Sequence, residues 1–439
     1  MHESIRSEQQ VTRDPRGHLL TNIGVWSPDS EWIVYDTRSD AAGEKFDGAT
    51  IEIVNVRTGE VREVYRSANG AFCGVATFHP REAQVVFIHG PEHPTPDWSY
   101  GPAHRQGAMV DLAMPGIARP LDARDLSTPF TPGALRGGSH VHVWHAAGEW
   151  LSFTYEDHLL PAGTPRTTGG DINQRNIGVS MRGRPVTVPK AHPRNHSGDA
   201  FTVLVTRTVV QPEPGSDEIA KAFEEGWVGT NGYIRPDGSR QSRALAFQGH
   251  TIARDGRTNA EVFIVDLPTD LTMPGEGPLA GAIDQRPFPP RGVVQRRLTF
   301  THDQKHPGIQ GPRHWLRANA AGSAIAFLLR DDAGVVQLWA VSPNGGAPRQ
   351  VTRNASDIAS AFTWSPDGSR IAHVADGSVC ATDAASGRTT RLTARSNASN
   401  APRPEACVWS PDGKWIAFAR RVPNAAGEFN QIFVVPAGQ

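Results

Sequence analysis

Three histidines fall within six residues of the stretch from Arg136 to Asp157, "RGGSHVHVWHAAGEWLSFTYED": His140, His142 and His145. Imidazole has an ordinary pKa near 6.5, so at neutral pH it can take a proton from a substrate, and it is also a common metal ligand. Proton abstraction needs a neutral base beside a cation that holds the developing negative charge. Metal binding needs further nitrogen or oxygen donors from elsewhere in the chain. Either chemistry depends on a scaffold that gathers residues remote in sequence.

That scaffold is legible as a repeat. "GVWSPDSEWIVYDTR" begins at Gly24, "FTWSPDGSRIAHVAD" at Phe362 and "CVWSPDGKWIAFARR" at Cys407, and the tryptophans at 364 and 409 lie 45 residues apart. This is the length of one four-stranded propeller blade. In each copy a short apolar strand ends at Trp, a Ser-Pro-Asp turn follows, and an alternating strand leaves it. Weaker copies are "ATFHPREAQVVFIHG", "HVWHAAGEWLSFTYE", "HSGDAFTVLVTRT" and "ANAAGSAIAFLLRDD". The expectation is an all-β, seven-bladed β-propeller spanning residues 1–439 as one domain, with blades starting near 22, 70, 137, 191, 310, 357 and 404. The N-terminal "SEQQVTRDPRG" echoes "PRQVTRNASD" (348–357), and the last blade runs out after three strands, so an N-terminal strand is expected to close the ring. Residues 191–309 are assigned to an expanded fourth blade with a short helix at "DEIAKAFEEGW"; an eighth blade is the alternative.

Composition narrows the partners. Lys and Arg (44) nearly balance Asp and Glu (45), which leaves no basic surplus for nucleic acid. No apolar run is long enough to span a membrane, and the polar N-terminus lacks a secretion signal. Three cysteines without metal-type spacing fit a reducing cytoplasm.

In a propeller the first strand of each blade lines the channel with alternate residues. His140 and His142 sit four and two residues before Trp144, so simple alternation puts both on the channel face. Asn22, Glu405 and His314 take the outer position in other blades, and His192 aligns roughly with the inner one. His145 lies beyond the tryptophan and is expected to face solvent.

The Ser-Pro-Asp-Gly repeats resemble those of TolB-like β-propellers. "GGSHVHVW", "DINQRNIGVS" and "EEGWVGTNGYIRPDG" resemble the YidR-like bacterial family, whose activity is unassigned, across nearly the whole chain. A more distant resemblance is to oligogalacturonate lyase, a cytoplasmic propeller with a catalytic histidine, an arginine and a metal on histidines and a glutamine. "FIHGPEH" (87–93), Arg105 in "AHRQGAMVDL", "SHVHVW", His192 and "QGPRHWL" follow the order of that family's site segments. Two departures stand out: Arg313 and Trp315 replace a ligand histidine, and a His-x-His pair stands at 140–142 where the lyase has one.

The resemblance implies a carbon–oxygen lyase that takes the C5 proton of a uronate and expels the C4 oxygen. His140 would be the base, with His142 the substitute, and Arg105 the carboxylate clamp. His89, His93, Arg175 and Arg313 would contact substrate. His192, Gln310 and His314 would hold a divalent metal, for which mixed N/O donors favour Mn²⁺ over calcium. "HGPEH" reads as a loop because Gly-Pro breaks any helix. Asp171, Asn173 and Asn176 could bind sugar hydroxyls or cap a strand, and Glu224/Glu225 read as a solvated face. The expected ligand is a small acidic oligosaccharide. The competing reading is a non-catalytic propeller that binds a protein over its mouth; a hydrolase or epimerase is a third.

Overall fold

The protein is described by a computed structural model covering residues 7–40, 43–312 and 315–438. Among these residues there are no helices, hence none to cross a membrane, and seven four-stranded sheets follow one another around the chain. Their innermost strands are Gly17–Leu19, Cys73–Phe78, Gly137–Trp144, Ala222–Trp227, Arg317–Ala318, Thr363–Trp364 and Pro402–Trp409. Each of these seven sheets is antiparallel, and the last takes its outer strand from the N-terminus, where Gln9 pairs with Val434 and Gln10 with Phe433. Val11 N donates to Ile432 O at 2.8 Å and Arg420 pairs with Glu8 at 2.8 Å, so the closure covers the one edge left open.

The repeated tryptophan has a structural task. Trp26 Nε1 donates to Val408 O, Trp227 Nε1 to Val143 O and Trp364 Nε1 to Arg317 O, each reaching the inner strand of the adjacent blade. The aspartate of the turn collects its neighbours: Asp29 takes the Glu31 amide and Asp367 the Ser369 amide. Apolar clusters fill the gaps between blades. The gap between blades 2 and 3 holds a small one, built on Val86, Met109, Leu121, Trp144, Leu151 and Ala200, and also buries His142, Asp122 and Ser139.

Two expectations need correction. The fourth blade starts at Ala222, not near 191, because Gly198–Leu204 pairs with Asn176–Val186 as the outer strand of blade 3. The expected helix is also absent: Ala222–Trp227 pairs with Ala244–Ile252 as the inner strand of blade 4. Ile219, Phe223 and Trp227 recur at helical spacing, but the sheet's hydrogen bonds override that local pattern.

Candidate active site

The inner strands of blades 2, 3 and 4 share a distortion. Each has a register shift in its ladder, around Val75, Val141 and Glu224, and these three non-glycine residues adopt positive φ, near 57°. Such a bulge adds a residue and breaks simple alternation. In blade 3 the shift falls between His140 and Val143. As a result His140 faces the channel while His142 turns into the gap between blades.

His140 lines a cavity of about 420 Å³ at one mouth of the channel. Asn22 and Glu405 line it from the same position in blades 1 and 7, four residues before the turn tryptophan. Blade 1 adds Asp36 and Arg38, blade 2 adds Tyr100 and Arg105, and Phe46 and Trp315 bring aromatic faces. Phe46 stacks on Tyr100 at 4.4 Å between ring centres, and Arg38 lies 4.5 Å above Phe46. Aromatic faces among polar groups suit a ligand with apolar ring faces and polar edges, as sugars have.

Two features give the cavity chemical character. Neither ring nitrogen of His140 makes a hydrogen bond among the described residues, and Nδ1 is buried. Burial, then the positive charges of Arg105 and Arg175, hold its pKa well below 6.5, so the imidazole is neutral at pH 7. Arg105 is 8% exposed, and none of the described carboxylates comes within 4 Å of it. Its Nη1 lies 3.5 Å from the Tyr100 hydroxyl and its Nε is buried without a partner. Arg38, by contrast, already pairs with Asp36 at 2.7 Å. Arg124 pins the backbone by donating to Arg105 O at 2.8 Å, and Ser139 N donates to the same carbonyl at 3.3 Å, so base and cation are held by adjoining strands.

The other expected site residues disperse. His142 is fully buried, its Nε2 3.7 Å from Asp122 and its ring packed near Phe153, out of reach of the cavity. His145 is buried too, edge-on to Trp227, with its pKa pushed down to about 4 by burial, not solvent-facing. His89 spends both nitrogens, on Tyr65 Oη (2.8 Å) and Gly90 O (2.7 Å). His93 is an exposed turn residue with φ of 47°. Arg175 stands near enough to act on His140 and is paired with Glu156 at 2.6 Å. Asp171 pairs with Arg286, Asn173 accepts from Asp157 N and Asn176 donates to Thr208, so these three brace the insertions of blade 3. Glu225 is buried against Thr154, with burial raising its pKa to about 7, so the expectation of a solvated face fails there.

The expected metal set does not assemble from its described members. His192 lies in the turn before the outer strand of blade 3, its Nδ1 accepting the Arg194 amide at 3.1 Å. Gln310 donates to Pro307 O and accepts from Arg330 Nε, both at 2.9 Å, within blade 5. They share no partner, and no group of three His, Cys, Asp or Glu among the described residues could hold an ion. Arg313 and His314 lie outside the described residues. Sequence reasoning missed Asp36, Arg38, Tyr100 and Phe46, and marked Trp315 only as the replacement of a ligand histidine. The one available signal was Asp36 and Arg38, charged residues closing the otherwise apolar strand "WIVYDTR".

Ring, closure and pocket define the class: a seven-bladed β-propeller with a polar, ligand-sized cavity at one mouth. The fold aligns with oligogalacturonate lyase in complex with manganese at a TM-score of 0.56 and 11% identity, over 99% of this chain and 94% of that one. The oligogalacturonate lyase of Vibrio parahaemolyticus gives 0.55 and 9%, over 100% and 95%. Residues 72–196 match a family described as a protein of unknown function, DUF3748. The chain belongs to the YidR family: it is 48% identical over 417 residues to the uncharacterised protein YidR of Escherichia coli K12, covering 94% of this chain and 95% of that protein.

Proposed function

We propose that the protein is a carbon–oxygen lyase acting on small uronate-containing oligosaccharides, with His140 as base and Arg105 as carboxylate clamp. One observation carries the reading: a neutral imidazole without a hydrogen-bond partner and a cation without a carboxylate within 4 Å, both among the described residues, line the same cavity. The likeness to two oligogalacturonate lyases supports the fold of such a site.

The reaction balances with these groups. Arg105 binds the sugar carboxylate and stabilises the negative charge that builds on it as the C5–H bond breaks. His140 accepts the proton, the C–H electron pair becomes the C4–C5 double bond, and the C4–O bond breaks. The departing oxygen takes a proton from water in the open mouth. Phe46 and Trp315 give the sugar ring apolar faces to rest on. No step is routed through a metal: the manganese belongs to the structural neighbour, and His192 and Gln310 do not converge here. Three free, buried cysteines fit the cytoplasmic setting of this reading.

The test is ultraviolet absorbance of the unsaturated product when the purified chain meets a panel of oligouronides. Turnover lost in Arg105→Met and His140→Ala supports the assignment. Absence of turnover across the panel overturns it.

A further inference from the structure

The other end of the channel is built differently. The inner strands finish there in the blade turns, four of which carry a proline (Pro28, Pro80, Pro366 and Pro411), and Trp26, Trp144, Trp227, Trp364 and Trp409 line a cavity of about 400 Å³. At its base lies Arg317, 4% exposed, from the inner strand of blade 5. One guanidinium nitrogen donates to Asn22, which lines the opposite cavity, so this contact partitions the channel. Another donates to Leu316 O at 2.8 Å and Glu225 O at 3.4 Å, while Nε is buried with no partner. None of the described carboxylates approaches Arg317 within 4 Å; those of Glu225 and Glu224 act on it only from farther away, and Glu225 accepts from Thr154 at 3.1 Å. A buried cation with no carboxylate in direct contact is poorly compensated, whereas an anion delivered beside it is well bound.

We propose that this cavity binds a small organic acid: a carboxylate carried on an aromatic or branched apolar body. The carboxylate supplies the ion pair that Arg317 lacks, and the body packs among the indole rings. The volume lies within the range of small-ligand pockets, roughly 300–1,000 Å³, and the Asn22–Arg317 contact stops a longer chain from threading through. The occupant is therefore a free acid, and its site is independent of the lyase reading at the other mouth.

Calorimetric titration of the full chain with indole-3-acetate and its neutral amide tests this. The acid should bind at least tenfold tighter than the amide, and saturating digalacturonate should not displace it. Arg317→Met should erase the preference and Arg317→Lys keep part of it. Should the methionine variant fail to fold, the acid–amide comparison on the unsubstituted protein still decides. Equal binding of acid and amide, binding of neither, displacement by digalacturonate, or a Trp-ended peptide binding tenfold tighter than the free acid each overturns the proposal.

Discussion

His140 and His142 are two residues apart, yet they should answer to substitution in opposite ways. His140 is the one histidine among the described lining of the mouth cavity, so no other described imidazole can take over the proton. Removing a general base costs about 10²–10⁴ in rate. The depressed basicity of His140 places it in the lower part of that range, about 10²–10³ in kcat/KM, or roughly 2.7–4.1 kcal/mol of transition-state stabilisation. His140→Ala should leave the melting temperature nearly unchanged, since the ring makes no hydrogen bond to any described residue. His142→Ala, in contrast, opens a void between blades 2 and 3 beside Asp122 and should cost roughly 2–5 kcal/mol of stability, with near-normal turnover per folded molecule. Product absorbance and thermal unfolding of both variants read the pair. A folded His142→Ala protein without activity, or an active His140→Ala protein, would refute the assignment of base and of facing.

Four further outcomes are expected. Arg105→Lys should retain a fraction of activity and Arg105→Met almost none, because lysine keeps the charge but not the planar fork; equal activity of the two would remove the carboxylate clamp. Dialysis against a chelator should leave oligouronide turnover unchanged, and activity restored only by Mn²⁺ would show that a metal seat was overlooked. Arg136→Met breaks a fully buried pair with Asp157 (2.7 Å) and releases Ala282 O, so it should lower stability by roughly 3–5 kcal/mol in urea unfolding, with Arg136→Met/Asp157→Asn recovering part; an unchanged midpoint counts against this. Burial depresses His196 and His373 to about 4 and His140 well below 6.5; the unfolded chain therefore binds more protons below pH 6.5, and stability is present above that pH and lost toward pH 4, at up to about 1.4 kcal/mol per pH unit per histidine. A melting temperature flat from pH 6.5 to 4.5 would contradict it.

The ring was legible because its signals are local. A tryptophan, a proline-bearing turn and an alternating strand recur with the backbone chemistry that each position needs, and the N-terminal echo of an outer strand disclosed the closure. The misplaced start of blade 4 shows where local signals stop. "HSGDAFTVLVTRT" alternates as well as any inner strand, and nothing within it says that it is the fourth strand of blade 3. The true inner strand, "AFEEGW", carries two glutamates and helical spacing, and only its pairing with Ala244–Ile252 makes it a strand. Asp36 and Arg38 were passed over for a related reason: they come from a second strand, which a template of inner strands leaves out.

The bulges settle which histidine faces the cavity. Had the inner strand of blade 3 kept strict alternation, His140 and His142 would share the channel, and a two-imidazole site with both rings neutral or metal-bound would be plausible. Val141 at φ 57° prevents this. A β-branched residue is a rare occupant of that region, so the surrounding ladder must hold it there against a local cost of about 1–3 kcal/mol. Equivalent bulges at Val75 and Glu224 recur in the neighbouring blades, which places the distortion in the architecture of this half of the ring. The consequence is a divergence within a single His-x-His: one ring faces the cavity beside Arg105, and the other packs against Asp122 between the two blades that carry Arg105 and His140. In the proposed reaction His142 therefore acts through the blade contact that keeps His140 and Arg105 in register, not at the substrate.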